Sequence, residues 1–129
     1  HLVVSPRHPH CRDMLAGDAR ALTQTPLITS ALDNPDMRPS IQRIRDQFSS
    51  VWEVSSLSLR IHMVASGMGV TFIDRKLLDE DPSCAALHIM DDVSFGRIER
   101  EVGLYHRADR TPSEAAAGFI ALCRRHWSL

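Results

Sequence analysis

A chain of 129 residues, 43% hydrophobic and 24% charged, is sized and composed for one globular domain, which excludes intrinsic disorder. Fifteen basic against sixteen acidic residues leave a formal net charge of −1, unlike the basic balance of a module that holds nucleic acid through phosphates. No apolar run nears the roughly 20 residues of a membrane span, and the opening residues do not read as a charged-then-apolar leader.

The three cysteines, Cys11, Cys84 and Cys123, are odd in number and widely spaced. That argues against a disulfide framework and for a reducing, cytoplasmic compartment. The basic residues are arginines with the single exception of Lys76, which speaks to coding bias more than to function. The sequence starts at His1 with a strand already under way, so it is expected to be the later part of a longer protein.

Leu2 to Ser5 is a short apolar run stopped by Pro6 and Pro9, which predicts a buried strand entering a loop. A polar, poorly periodic stretch follows. Pro26 to Thr29 is the second strand, ending in a loop from Ser30 to Pro35. Met37, Ile41, Ile44 and Phe48 recur at helical spacing, and Pro39 is tolerated because a first turn has no amide bonds to lose. Val51 to Val54 is the third strand.

Leu57 to Met63 alternates like a strand and also fits a helix face. Ser55 and Ser56 as N-caps and Gly67 as a left-handed C-terminal stop favour the helix. Val70 to Ile73 is the fourth strand. Asp74 is placed to cap a short helix from Arg75 to Asp79, closed by Pro82. Ala85 to Met90 and Glu101 to His106 are two further strands. Thr111-Pro112-Ser113-Glu114 forms a capping box for a closing helix to Trp127, with an apolar stripe of Ala116, Phe119, Ile120, Cys123 and Trp127. The alternation predicts an α/β fold with a mostly parallel sheet and flanking helices.

Few residues suggest chemistry. His8, His10 and Cys11 lie close together, but Pro9 interrupts them and no second cluster stands at ligand spacing, so a solvated loop is expected rather than a metal site. His62 falls on the polar side of its helix. The cysteines lack a specific histidine partner, which leaves no thiol nucleophile. Gly67-Met68-Gly69 follows a helix and precedes a strand, the reverse of a dinucleotide-binding turn. No nucleophile elbow or phosphate-binding loop is present. No catalytic residue, metal or cofactor is expected. Two polar loops are different. Thr29-Ser30 and Ser55-Ser56 both follow strands, so in a parallel sheet both reach its carboxyl edge, where ligands of open α/β sheets bind. A helix N-terminus beside small hydroxyls suits an anion. Simple helix capping is the alternative at these positions.

The segments Trp52-Glu53-Val54-Ser55-Ser56-Leu57 and Met63-Val64-Ala65-Ser66-Gly67-Met68-Gly69-Val70-Thr71-Phe72-Ile73 resemble the effector-binding domain of LysR-type transcriptional regulators. So do Leu2 to Pro9, Leu22 through Ile28, and Glu101 to Tyr105 with Thr111 to Glu114 and Phe119. These motifs span essentially all of the chain in the family's order. The resemblance implies a periplasmic-binding-protein-like (type 2) fold of two α/β lobes with a small molecule in the cleft. Residues 1–102 would form the second lobe, and residues 103–129 would return to the first. The winged helix-turn-helix, through which alone DNA would be bound, would precede His1 with the linker helix and half of the first lobe. One departure is Asp74, where the family commonly has proline; it adds a carboxylate near the cleft mouth or caps the next helix.

The resulting expectation is a ligand-sensing module that performs no chemistry. Thr29, Ser30, Ala31, Ser55, Ser56 and Asp74 are its candidate effector-binding residues, for a small, anionic effector. The alternatives are a periplasmic-type solute-binding protein and a small α/β enzyme. The closing helix and the Leu57 helix are expected to support a homodimer or homotetramer.

Overall fold

The computed structural model describes residues 1–30, 38–90, 98 and 103–127. Contacts divide the chain into two units, residues 1–98 and 99–129.

The first unit is built on a five-stranded sheet with the order β3-β2-β4-β1-β5. Its strands are β1 (Leu2–Val4), β2 (Leu27–Thr29), β3 (Val51–Glu53), β4 (Val70–Phe72) and β5 (His88–Ile89). β2 runs parallel to both β3 and β4, whereas β1 is antiparallel to its neighbours β4 and β5. Four strands therefore point one way and β1 the other. The sheet is mixed and mostly parallel.

Each strand is only two or three residues long, and β1, β2 and β4 are apolar apart from Thr29 and Thr71, because both faces of the sheet are covered. Leu2, Val4, Leu27 and Val70 face one side, where they pack with Cys11 and Met14 of α1 (Cys11–Leu15), Leu22 of α2 (Ala19–Gln24), Ile44 of α3 (Arg38–Arg45), and Phe48. Val3, Ile28 and Ile73 face the other side, against Ile61 and Val64 of α4 (Leu57–Ala65) and Cys84 of a 3-10 turn, Pro82–Cys84. Leu77 and Leu78 of α5 (Arg75–Glu80) complete this layer. Val4, Ile28 and Ile73 are buried, and Val54 and Phe72 pack against the two clusters, so the apolar residues of the strands and their exits lie in or beside the sheet core.

The polar stretch after β1 is not irregular. It folds as α1 and α2, separated by Gly17 at φ +87° and restarted by Asp18, whose carboxylate accepts from the Arg20 and Ala21 amides at 2.8 and 3.1 Å. Helices of five and six residues show too few turns for an apolar period to stand out. The strand expected from Ala85 to Met90 shortens to His88–Ile89, because the turn continues past Cys84: the Ala85 and Leu87 amides donate back to the Pro82 and Cys84 carbonyls. Met37 lies outside the described residues. Ile41, Ile44 and Phe48 are buried as the helical spacing requires.

In the second unit, α6 (Glu114–Trp127) is the expected closing helix. Its cap is Ser113 and not Thr111: the Ser113 hydroxyl accepts from the Ala116 amide at 3.3 Å. The helix therefore starts two residues later than the Thr111 capping box implied. The strand expected at Glu101 to His106 is not formed over Gly103–His106, which is exposed, with Tyr105 93% accessible. A strand needs a neighbour to accept its ladder bonds, and the described residues of this unit supply none. Glu101 and Val102 lie outside the described residues.

Gly67 ends α4 at φ +83°, and a β-carbon there would sit 2.8 Å from the Arg7 carbonyl oxygen. Gly17 has a similar φ but open space around it. Gly17→Ala should thus lose only the left-handed backbone cost, about 1–2 kcal/mol, while Gly67→Ala loses that and displaces the loop carrying Arg7. Urea unfolding of both variants checks this; equal losses would contradict the close approach.

Candidate effector site at the carboxyl edge of the sheet

The parallel register brings three strand ends together. Leu27, Ile28 and Thr29 align with Val51, Trp52 and Glu53, and Leu27 aligns with Val70. The chain leaves β2 leftward to β3 and then crosses to β4 on the opposite side of β2. That reversal makes a topological switch point between β2 and β4. In open α/β sheets the crevice outside the carboxyl ends at such a point is where ligands bind.

Thr29 and Ser30 stand at the end of β2, both half-buried. The Thr29 carbonyl accepts from the Val54 amide at 2.8 Å, which ties β2 to the exit of β3. The Thr29 hydroxyl makes a long bond, 3.4 Å, to the Ser30 carbonyl. Ser55 and Ser56 follow β3 and are exposed; the Ser56 hydroxyl caps α4 by accepting from the Leu59 amide at 3.3 Å. The hydroxyls of Ser30 and Ser55 meet no partner among the described residues. Asp74 follows β4, and one of its carboxylate oxygens caps α5 by accepting from the Lys76 amide at 2.9 Å. Asp74 is exposed, so the capping role and access to solvent coexist. Ala31 lies outside the described residues.

One feature of this edge escaped the sequence reading. The Thr71 hydroxyl is fully buried and donates to the Ile28 carbonyl at 2.6 Å, linking β4 to β2 just beneath the strand ends. A polar residue between Val70 and Phe72 in an apolar strand was the available signal.

The histidine and cysteine cluster lies elsewhere. β1 runs opposite to β2 and β4, so its carboxyl end and the loop after it sit at the amino edge of the sheet. His8 is buried there and not in a solvated loop. Its Nδ1 accepts from the His10 amide at 3.1 Å, and burial, aided by the charge of His10, holds its pKa below the ordinary histidine value. Burial likewise pushes the Cys11 and Cys84 thiols up, away from reactive thiolate. Among the described residues, no group of three or more His, Cys, Asp or Glu side chains could hold a metal ion. His62 is exposed on α4. A polar cavity of about 440 Å³ opens between α1 and α2, lined by His10, Asp13, Asp18, Arg20 and Gln24 among others. Its acids are already engaged: Asp18 caps α2 and Asp13 faces His10 at 3.5 Å.

The family model of the LysR substrate binding domain matches residues 1–128. The chain belongs to that family. It is the effector-binding domain of a LysR-type transcriptional regulator, and the α/β architecture with its mostly parallel sheet is that of the family's periplasmic-binding-protein-like fold. Its role is regulatory, the binding of a small-molecule effector, in a family whose members typically oligomerise. That places it apart from transport solute-binding proteins. Comparison with curated proteins and with solved structures finds no match. No helix among the described residues is long and apolar enough to cross a membrane.

Because the folded state binds the His8 proton more weakly than the unfolded chain, stability is fully present above the unfolded histidine value near 6.5 and is lost as pH falls toward the lower folded value. Thermal unfolding at pH 7.5 and pH 5 should show this loss. His8→Asn, whose side-chain oxygen can replace Nδ1 as acceptor, should shrink the difference; an unchanged difference would assign it to other groups.

Proposed function

We propose that this domain senses a small, anionic metabolite at the carboxyl edge of β2, β3 and β4, and performs no chemistry on it. Thr29, Ser30, Ala31, Ser55, Ser56 and Asp74 supply half of the site. The observation that carries this reading is the convergence of three parallel strand ends at the switch point, where Ser30 follows β2 and Ser55 lies between β3 and α4, their hydroxyls without a partner among the described residues. Asp74 opposes an anion directly beside it, so it serves the positive or hydroxylic part of the effector.

Residues 1–102 act as the second lobe and residues 103–129 return to the first; the contact boundary between Ile98 and Glu99 is in keeping with that division. A helix-turn-helix preceding His1 carries the DNA contact, and effector binding shifts the lobes to change it. The regulator works in the cytoplasm, where its three unpaired cysteines remain reduced. It assembles as a homodimer or homotetramer. The exposed apolar residues Leu57 and Leu59 of α4, and Phe119 and Leu122 of α6, are available for that contact. The side chain of Trp127 lies outside the described residues.

A thermal-shift screen of small carboxylates and phosphates against the complete regulator identifies the effector, and the same compound should change promoter occupancy. Removing one hydrogen bond to a charged ligand costs about 1.5–3 kcal/mol, so Ser30→Ala and Ser55→Ala should each weaken binding roughly ten- to hundredfold. Unchanged affinity in both variants would reject the site, and turnover of the bound compound would reject a purely sensory role.

A further inference from the structure

The β2–β4 seam is the thinnest in the sheet's parallel half. β2 aligns with β3 over three consecutive pairs, but with β4 only at Leu27 and Val70. Beyond that pair the two strands leave the registered ladder just where the crevice begins. A side chain holds the seam at this point: Thr71 donates from its hydroxyl to the Ile28 main-chain carbonyl at 2.6 Å, across 43 positions of sequence. Both residues are fully buried, so no water competes for the bond. Ile28 immediately precedes Thr29 and Ser30, and Thr71 lies three residues before Asp74.

We infer that Thr71 is a positioning residue for the effector crevice: its hydroxyl fixes the carboxyl end of β2, and with it Thr29 and Ser30, against the end of β4 that carries Asp74. The inference rests on the effector site proposed above. A purely apolar residue at position 71 would pack in the same layer as Ile28 and Ile73 but would leave the end of β2 held by β3 alone. A serine would keep the bond and lose only a methyl group.

Hydrogen exchange of the complete regulator, read by mass spectrometry without effector, tests this. In Thr71→Val, near-isosteric but without the hydroxyl, peptides spanning the ends of β2 and β3 should exchange about tenfold faster through local opening, while peptides of β1 and α1 keep their protection. Thr71→Ser should exchange like the wild type. If Thr71→Val does not fold, Thr71→Cys, with a weaker donor of similar volume, carries the same comparison. Wild-type protection at the β2 end without the hydroxyl overturns the inference, and so does a loss spread evenly over β1, β2 and β4. Neither result touches the site itself, which Ser30→Ala and Ser55→Ala test through affinity.

Discussion

The two halves of the sheet meet where Pro26 and Leu27 run beside Gly69 and Val70. The Val70 amide donates to the Pro26 carbonyl at 3.0 Å, and a β-carbon on residue 69 would lie 2.5 Å from that same carbonyl oxygen. Glycine at position 69 is therefore a condition of the fold. It permits the approach that joins β3 and β2 to β4, β1 and β5, and from that junction follow both the continuous two-faced core and the placement of three strand ends at one edge. Both glycines admit a neighbouring backbone, Gly67 that of Arg7 and Gly69 that of Pro26, and Gly67 also turns the chain at positive φ.

The loop after β1 is tied to the same region from the other side. The Ser5 hydroxyl donates to the Ala65 carbonyl at 3.0 Å and accepts from the Arg7 amide at 3.1 Å, which satisfies the end of α4 and braces the turn that Gly67 completes. Ser5 is buried although it is polar, and the pair of bonds is the reason it can be. The same short stretch, β1 and its exit loop, links the sheet's single antiparallel strand to the helix whose N-terminus faces the proposed effector. Packing, not surface charge, organises the domain. The exposed ion pair of Arg75 with Asp79 at 3.1 Å follows from helix spacing and adds little.

Most elements were legible in the sequence because their signals are local. Ser56 and Gly67 decided between helix and strand for Leu57 to Met63, and cap geometry at both ends agrees with that choice. What failed was either too short or non-local. α1 and α2 are shorter than two turns, and Gly103 to His106 has strand-like residues with no strand to pair with among the described residues. The direction of β1 depends on partners nearly seventy residues away, which no local pattern encodes. The candidate site divides in the same way. Ser55 and the capping hydroxyl of Ser56 could be read from their place before the helix, and Thr29 and Ser30 from theirs after an apolar run. The switch point needed the strand order, and the role of Thr71 needed the contact with Ile28.

Effector recognition is proposed for the carboxyl edge of β2, β3 and β4. A crystal structure of the complete regulator with its effector tests it most directly. The effector should be hydrogen-bonded to the hydroxyls of Ser30, after β2, and Ser55, before α4. An effector bound instead at the opposite edge, in the polar cavity between α1 and α2, would contradict it.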